Sequence, residues 1–465
     1  MFKEIFLFDL KQNFRKPQTY IFFGIFFLLT FLLGLYAAGV FNVATGDSNL
    51  VMNSANSVAG IIVGLNDGIL GLVNSVILVA IMATAIQKDY EYNTHPMYFT
   101  KPITKGSYFF GRFISAFVTA VFVFSAQVIG YYIGCLFGIG KPVMGPFEFM
   151  NFLQPFLIFM VPNILLLGAI FFSITTFTRN TLPAYLFCII LLVIRSVTAT
   201  MTTDLDNKAT AALLEPFGAE ALRYITQYWT PDDQNTRMVP LESSLLYNRI
   251  LWLGIALLIT LSSFFKFSFS QFLTPFTLFK RKDNEAPQSN PSPLHSLALL
   301  PKVTQHFSSK ETWKQLFYLA KFEFIKMTRS TFFIIICALG SVMMFIISQY
   351  MGAMYDTETY PVTYQIMGNV AGIFQFFIMI SIVFFSGTIV WREREQKMDE
   401  LVGTTPVSNT VLFFSKYLAL VYVIAVLLIV IIITGMLIQV SLSYYHVEPI
   451  LYLKAALRTL VTFSI

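Results

Sequence analysis

The sequence predicts an all-α polytopic integral membrane protein made of two tandem six-span half-repeats, the second of them truncated. Three observations support this prediction: an apolar composition, apolar runs of membrane-spanning length, and a charged segment that occurs twice. With 56% hydrophobic and only 12% charged residues, the chain lacks the charged surface that a soluble protein of 465 residues requires. A polytopic membrane protein is therefore the class that the composition favours.

Nine apolar runs are long enough to cross a bilayer, which takes about twenty residues. They lie at 20–40, 66–87, 109–139, 152–176, 182–201, 247–267, 331–350, 369–390 and 410–440. A tenth run begins near Leu451. The third and ninth runs are longer than the membrane core, so we expect their helices to begin outside it, with Thr104 and Ser408 as N-caps.

The positive charges predict the orientation. If the N-terminus is cytoplasmic, the inner loops carry twenty Lys and Arg residues, whereas the outer loops carry only Lys141, Lys208, Arg223 and Arg237. This bias follows the positive-inside rule. We therefore expect a multi-pass protein of the cell inner (plasma) membrane with a cytoplasmic N-terminus. The net charge of +6 reflects this topology, so we expect the lipid bilayer and no nucleic acid as a partner.

A charged segment at the end of the second span is repeated later in the chain. A shift of 304 positions places residues 88–113 on 392–417. The first copy carries Lys88, Asp89, Glu91 and Pro102, and the second carries Arg392, Glu393, Arg394, Glu395, Glu400 and Pro406. Among the aligned pairs are Lys88 with Arg392, Asp89 with Glu393 and Arg112 with Lys416. We name the two segments, 88–105 and 392–408, the first and second elbows.

The order of elements also recurs on both sides of a polar segment rich in Pro and Ser at 283–309. In each half, an amphipathic segment precedes a span, an outer loop, a span, an elbow and a long span. The amphipathic segments, Phe2 to Phe14 and Trp313 to Ile325, suit helices lying along the inner membrane surface or packed on the protein.

We therefore predict a first half with six spans at 1–282, which includes a large outer loop at 202–246, the linker at 283–309, and a second half at 310–465. The second half shows three spans and the start of a fourth, and we expect it to be incomplete.

The second elbow resembles type-2 ABC exporter permeases, in which the second span ends in an R-E-R-E-like string, followed by a short helix and a T-P-[VI]-[ST] turn. The resemblance covers nearly the whole chain. It implies a membrane subunit of an exporter in which the short helix is the coupling helix, docked on a cytoplasmic ABC ATPase, present as two copies or a dimer. ATP would be bound by that partner, with no cofactor in this chain. The first elbow departs from the pattern, since Tyr90 replaces Arg and His95-Pro96 interrupts the helix.

A narrower resemblance covers about forty residues of the large outer loop, including Leu214 to Gly218 and Asn248 to Trp252. These residues are similar to bacterial proteins that join such a permease to a C-terminal zinc aminopeptidase domain. This resemblance leaves an alternative open, in which the spans mainly anchor and position a downstream metallopeptidase with little transport. The chain itself carries no H-E-x-x-H motif.

The resemblance assigns ATPase coupling to charged and proline residues of the two elbows: Lys88, Asp89, Glu91, Pro102, Arg392, Glu393, Arg394, Glu395, Glu400 and Pro406. The alternative without coupling is that Arg392 and Arg394 only stop membrane insertion at the end of a span. This alternative does not explain the interleaved Glu393 and Glu395 or the second copy of the segment. We predict no catalytic and no metal-binding residue, so the chain is expected not to be an enzyme. No substrate-binding residue can be named. An ion-coupled transporter is a weak third possibility, because Asp67 is the only carboxylate in the spans.

Several other residues lead to expectations about packing. Gly60, Gly64 and Gly68, like Gly130, Gly134 and Gly138, have a spacing that permits close helix contact, and they could lie between the halves. We expect Arg195 to extend to the outer headgroups. We expect Gln127, Asn163 and Gln375 to bond neighbouring helices more readily than a substrate. The segment from Ala209 to Tyr228 is predicted to be helical.

Overall fold

The computed structural model describes residues 1–41, 50–66, 68–92, 103–201, 208–267, 308–349, 361–395, 398–405 and 407–464. Within these ranges every regular element is a helix. Seven of the helices are long and apolar enough to cross a membrane. The predicted class, an all-α polytopic membrane protein, is therefore confirmed.

The seven helices of spanning length agree with seven of the predicted runs. They are Pro17–Ala37, Leu70–Asp89, Lys105–Leu136, Met150–Thr178, Ser243–Lys266, Thr331–Ser348 and Asn409–Ser441. The other two predicted runs, 182–201 and 369–390, fall within the helices Leu182–Met201 and Thr363–Glu395. Asp67 lies outside the described residues.

The chain divides into two compact units, Met1–Arg281 and Lys282–Ile465. Nearly all of the predicted linker at 283–309 falls outside the described residues. The predicted division into two halves and a linker, and the truncation of the second half, therefore stay predictions.

Unit 1 contains thirteen α-helices in its described part. They are α1 Phe2–Arg15, α2 Pro17–Ala37, α3 Ala55–Gly64, α4 Gly68–Met82, α5 Thr84–Glu91, α6 Lys105–Leu136, α7 Met150–Pro155, α8 Val161–Thr178, α9 Leu182–Met201, α10 Lys208–Leu214, α11 Ala219–Thr226, α12 Pro231–Thr236 and α13 Ser243–Lys266. A π-helical turn, Phe156–Met160, joins α7 to α8. We call the end of unit 1 that holds α1 and α5 the elbow end, and the end that holds α10 to α12 the cap end.

Helices α2 and α6 pack closely because glycines let their backbones touch. A Cβ added at Gly134 would lie 2.5 Å from the carbonyl oxygen of Phe31, and one at Gly34 would lie 2.9 Å from the Cα of Gly134. Glycine contacts of this kind bring helices together in membranes. Gly130 and Gly134 therefore serve a contact within unit 1. A Cβ at Gly60 or Gly64 would meet nothing within 4 Å, so these two glycines form no such contact.

The segment between the first two predicted runs, 41–65, contains a buried helix, α3, that the sequence did not predict. Val58, Ala59 and Ile62 of this helix belong to the hydrophobic core. Its N-cap, Ser54, accepts a hydrogen bond from the backbone N–H of Ser57. The amide of Asn53 donates to the carbonyls of Gly145 and Pro146, which fixes the start of α3 to the loop after α6.

The predicted helix from Ala209 to Tyr228 is broken into α10 and α11. Pro216 lies in the break, and Gly218 has a positive φ of 85°, a conformation that glycine adopts without strain. Helices α10 to α12 form a cap on the ends of α3 and α13.

Unit 2 contains six α-helices in its described part. They are α14 Ser309–Thr328, α15 Thr331–Gln349, α16 Thr363–Glu395, α17 Asp399–Gly403, α18 Asn409–Ser441 and α19 Pro449–Ser464. The amphipathic segments predicted near Phe2 and Trp313 are thus helices α1 and α14. Both predicted N-caps are confirmed, since Thr104 accepts from the N–H of Ser107 and Ser408 accepts from the N–H of Val411.

Candidate coupling site

Three helices of unit 1 meet in a network of charged side chains at the elbow end. Lys88 of α5 places its Nζ 3.1 Å from Oδ1 of Asp9 on α1. Arg112 of α6 pairs with the same carboxylate of Asp9, and its Nη2 lies 2.7 Å from Oδ2 of Asp89. The hydroxyl of Tyr108 donates to Asp89 Oδ2 at 2.6 Å. We call these residues the unit 1 clamp, because they hold α1, α5 and α6 together.

The unit 1 clamp is shielded from solvent except at Lys88, whose side chain is 13% exposed. Asp9 is 1% exposed, Arg112 is 2% exposed and Asp89 is 3% exposed. A buried charge is tolerated only when opposite charges and hydrogen bonds compensate its lost hydration, and here each carboxylate faces at least one cation. The predicted coupling residues Lys88 and Asp89 therefore make internal contacts, whereas Glu91 is exposed. Direct ATPase contact by Lys88 and Asp89 stays a prediction.

Unit 2 contains two ion pairs between the corresponding elements. Arg392 of α16 pairs with Glu323 of α14. Lys416 of α18 places its Nζ 2.8 Å from Oε1 of Glu393 on α16. We call these four residues the unit 2 clamp. Their side chains are 13% to 28% exposed, so water reaches this clamp more readily than the unit 1 clamp.

A short helix, α17, follows the charged end of α16. The backbone N–H of Met398 donates to the carbonyl of Glu393 at 2.8 Å, which joins α17 to the end of α16. Leu401 is 60% exposed and Met398 is 45% exposed, and Glu400 is also exposed. This helix thus presents an apolar and acidic surface beside the unit 2 clamp.

The other predicted coupling residues are Arg394, Glu395 and the two prolines of the elbows. Arg394 is exposed and its guanidinium lies 5.3 Å from the ring centroid of Trp391. Glu395 is the last residue of α16. Pro102 and Pro406 lie outside the described residues.

Sequence reasoning missed Asp9, Glu323 and the structural role of Arg112 and Lys416. The repeat alignment already paired Arg112 with Lys416, but it gave no indication that they contact the elbow. The signal for Asp9 and Glu323 is an acidic residue within an amphipathic segment that precedes a basic cluster. Such a carboxylate needs a cationic partner if the helix packs on the protein.

A second polar cluster lies at the cap end of unit 1. The amide of Asn248 on α13 donates to the carbonyls of Ala212, Leu213 and Glu215 at 2.7 to 3.0 Å. Arg249 donates to Asn163 on α8 at 3.0 Å and to the carbonyl of Pro216 at 3.2 Å. These bonds fasten the break between α10 and α11 to the spans.

Glu215 and Arg195 complete this cluster. The carboxylate of Glu215 accepts from the backbone N–H groups of Phe217 and Ala219 at 2.9 and 2.6 Å. Arg195 lies 3.7 Å from the same carboxylate and 5.0 Å from the ring centroid of Phe217. The expectation that Arg195 extends to the headgroups is therefore wrong, because the cap supplies its counter-charge inside the protein.

The fold and these sites define a multi-pass membrane protein. Residues 319–465 match the family model described as "ABC-2 family transporter protein". This region begins within α14 and includes the rest of unit 2. The match supports an ABC-2 type permease, which is a transport component. Permeases of this family lie in the lipid bilayer and are generally paired with a cytoplasmic ATPase. No curated protein and no solved structure matches the chain.

Proposed function

We propose that this chain is the membrane-spanning subunit of an ABC exporter, which couples a separate cytoplasmic ATPase to transport through the elbows at 88–105 and 392–408. The observation that carries the proposal is helix α17. It lies between the charged end of α16 and the start of α18, and it exposes Met398, Glu400 and Leu401. An exposed helix with apolar and charged side chains suits docking in a groove of a soluble partner.

The connections of α17 favour the transmission of force. Helix α16 ends in Arg392 and Glu393, which pair with Glu323 on α14 and Lys416 on α18. A displacement of α17 would therefore move the end of α16, and the two ion pairs would pass this motion to α14 and α18. This linkage gives a nucleotide-driven motion of the ATPase a stiff path into the membrane.

Orientation and stoichiometry belong to the same proposal. The charge bias of the loops favours a cytoplasmic N-terminus in the inner membrane, which places both elbows on the side where ATP is available. Two elbows would engage two ATPase copies or a dimer. Export is favoured over import by the resemblance of the second elbow to exporter permeases.

Charge reversal on α17 tests the proposal. We expect Glu400→Lys to reduce co-purification of the cognate ATPase at least tenfold, because Glu400 is an exposed charge of the docking surface. The matched control is Glu448→Lys, which changes an exposed glutamate beyond the opposite end of α18 and should leave association unchanged. Unchanged association in Glu400→Lys and in a Leu401→Asp variant would contradict docking through α17.

The alternative function is anchoring of a downstream metallopeptidase. It is supported by the likeness of the outer-loop residues around Glu215 and Asn248 to permeases fused to such a domain. The reading frame that follows Ile465 distinguishes the two functions, because a zinc-binding motif there would favour anchoring. The cap that these residues build is compatible with either function.

A further inference from the structure

The clamps of the two units join the same kinds of elements with the same signs of charge. In each unit, an acidic residue on the amphipathic helix pairs with a basic residue near the end of the helix that leads into the elbow, α5 or α16. These pairs are Asp9 with Lys88 and Glu323 with Arg392. The next residue along, Asp89 or Glu393, pairs with a basic residue of the following long helix, Arg112 or Lys416.

The sequence supports the equivalence of the two amphipathic helices. Phe8, Asp9 and Arg15 are each followed, 314 positions later, by Phe322, Glu323 and Arg329. Both acidic residues therefore occupy the same place relative to the helix that follows. The 304-residue shift of the elbows supplies the remaining partners, so every charge in the unit 2 clamp has a counterpart of the same sign in unit 1.

The two clamps differ in how their charges are connected. In unit 1, Arg112 contacts both Asp9 and Asp89, so a single buried guanidinium links α1, α5 and α6. In unit 2, the pairs Arg392–Glu323 and Lys416–Glu393 have no residue in common. Opening one pair in unit 2 leaves the other intact, whereas Arg112 cannot leave Asp89 without removing the cation that faces this buried carboxylate.

The polar and aromatic contacts of the two amphipathic helices also differ. In unit 1, the amide of Asn13 donates to Thr119 at 3.3 Å, and the ring of Phe14 packs edge-on against Phe122 at 4.9 Å. In the described part of unit 2, the corresponding aromatic contact between α14 and α18, Phe324 with Tyr422, has a centroid distance of 5.9 Å. Helix α1 is thus held by polar and aromatic contacts in addition to its ion pairs.

We propose that Asp9 and Glu323 are equivalent positioning residues of unequal strength: Asp9 locks α1 permanently to the first elbow, and Glu323 holds α14 to the second elbow by a contact that opens during transport. The proposal rests on the proposed function, because it deepens the role of the elbows. It makes unit 1 the static half of the coupling machinery. Unit 2, whose α17 is exposed, is the half that moves.

Solvent exposure gives the proposal a measurable consequence. Salt screens an ion pair more strongly the more water reaches it, and the unit 2 pairs are partly exposed whereas Arg112, Asp9 and Asp89 are buried. We expect amide hydrogen exchange in α14 of the wild-type chain, reconstituted in nanodiscs, to rise at least threefold when NaCl is raised from about 0.05 M to about 1 M. Exchange in α1 should change less than twofold.

Two matched substitutions complete the test. Glu323→Gln should raise exchange in α14 at low salt and remove its salt response, because the contact is already open. Combining Glu323→Arg with Arg392→Glu should restore protection at low salt. Asp9→Asn should raise exchange in α1, α5 and the start of α6 together, or prevent folding, since it leaves Lys88 and Arg112 poorly compensated.

Equal salt responses in α1 and α14, or unchanged exchange in α14 of Glu323→Gln, would overturn the proposal. The assay contains no ATPase, so its outcome is independent of whether α17 binds one. A chain that fails to bind an ATPase yet shows unequal clamps would contradict the proposed function alone.

Discussion

Asn248 and Arg249 show how two adjacent polar side chains can hold a cap on a membrane bundle. Both are buried, with 0% and 4% exposure, and together they supply donors to four backbone carbonyls and to Asn163. The carbonyls are available because the break between α10 and α11 leaves them without helical partners. The side chains replace those missing backbone donors.

Removal of the Asn248 amide should release the cap. We expect Asn248→Leu to lower stability by about 2–3 kcal/mol, because the buried carbonyls of Ala212 and Glu215 lose the amide that donates to them. Limited proteolysis within residues 208–236, followed over a denaturation series, measures this effect.

The control for this prediction is Gln227→Leu, which removes an exposed amide of the same cap. It should change stability by less than about 0.5 kcal/mol. Equal proteolysis of the two variants would mean that the bonds from Asn248 do not hold the cap.

Some residue-level partners could be predicted from the sequence and others could not. Gln127 and Asn163 were expected to bond neighbouring helices, and they do so with Asn74 and with Phe217 and Arg249. Polar side chains within apolar runs must find such partners. The partner of Arg195 could not be predicted, because Glu215 approaches it only after the chain reverses at Pro216 and Gly218.

At the scale of single elements, helix α12 depends on a capping box. The side chain of Thr230 accepts from the N–H of Asp233, and Asp233 accepts from the backbone N–H of Thr230. The hydrogen bond from the Thr230 side chain, together with the backbone bond and nearby Arg237, lowers the pKa of Asp233 below its ordinary value of 3.8.

This lowered pKa predicts a pH dependence of α12. Since the folded pKa lies below the unfolded value, the carboxylate stabilises the helix above pH 3.8, and this contribution disappears as the pH falls through the folded pKa. We expect Asp233→Asn to raise amide exchange in α12 several-fold at pH 7, with wild type and variant converging in strong acid.

The matched control is Asp232→Asn, which changes a carboxylate of the same turn that lies outside the capping box. Its exchange should stay close to that of wild type at both pH values. A ratio of Asp233→Asn to wild type that is independent of pH would contradict the role assigned to the carboxylate.

The contact between α2 and α6 predicts a size limit at Gly134. A valine there would place its Cβ 2.5 Å from the Phe31 carbonyl and 2.8 Å from the Cα of Gly34, so the backbones must separate. We expect Gly134→Val to cost at least about 1–3 kcal/mol, measured as a lower thermal unfolding temperature in detergent.

The corresponding substitution in α3 is the control. Gly60→Ala adds a methyl group where nothing lies within 4 Å, and replacing glycine by alanine in a helix is favourable by up to about 1 kcal/mol. A lower unfolding temperature for Gly60→Ala than for Gly134→Val would rule out the close approach as the cause.

The sequence predicted long elements better than short ones. The helices of spanning length agree with their apolar runs, because a run of about twenty apolar residues has few other stable conformations. Helix α3 was missed because its ten residues are too few to span a bilayer. The break at Glu215 to Gly218 was missed because the apolar spacing continues across it.

At the scale of the whole molecule, the excess of Lys and Arg in the inner loops predicts an orientation that labelling in intact cells can test. A cysteine replacing Tyr228, which is 87% exposed on the cap, should react with a membrane-impermeant maleimide in intact cells. A cysteine replacing Leu401 on α17 should react only after permeabilisation. The native Cys135 and Cys188 are buried, whereas Cys337 is partly exposed, so both variants are made in a Cys337→Ala background.

The opposite labelling pattern would place α17 on the side without ATP. Equal labelling of both positions in intact cells would show damaged membranes, which a cytoplasmic marker enzyme controls. A reversed pattern with intact membranes would contradict the predicted topology and ATPase coupling through α17 together.

The coupling site shows which features of the two elbows could be predicted from the sequence. The repeat identified both elbows and most of their charged residues, since a duplicated pattern of charges is visible without coordinates. It could not distinguish buried Asp89 from more exposed Glu393, because burial depends on helices distant in sequence, such as α1. The repeat therefore predicted equivalent roles for Asp89 and Glu393, although the fold places them in different surroundings.

The π-helical turn at Phe156–Met160 decides which way the fourth span faces. In a regular α-helix, nine residues rotate the side-chain direction by about 900°, so Gln154 and Asn163 would point to opposite sides. One extra residue in a wide turn cancels about 100° of that rotation, which brings both amides to within about 80° of each other. Gln154 can then bond Val239 while Asn163 bonds Phe217. Deleting a single residue from this turn would straighten the helix and separate one of the two amides from the carbonyl that it binds.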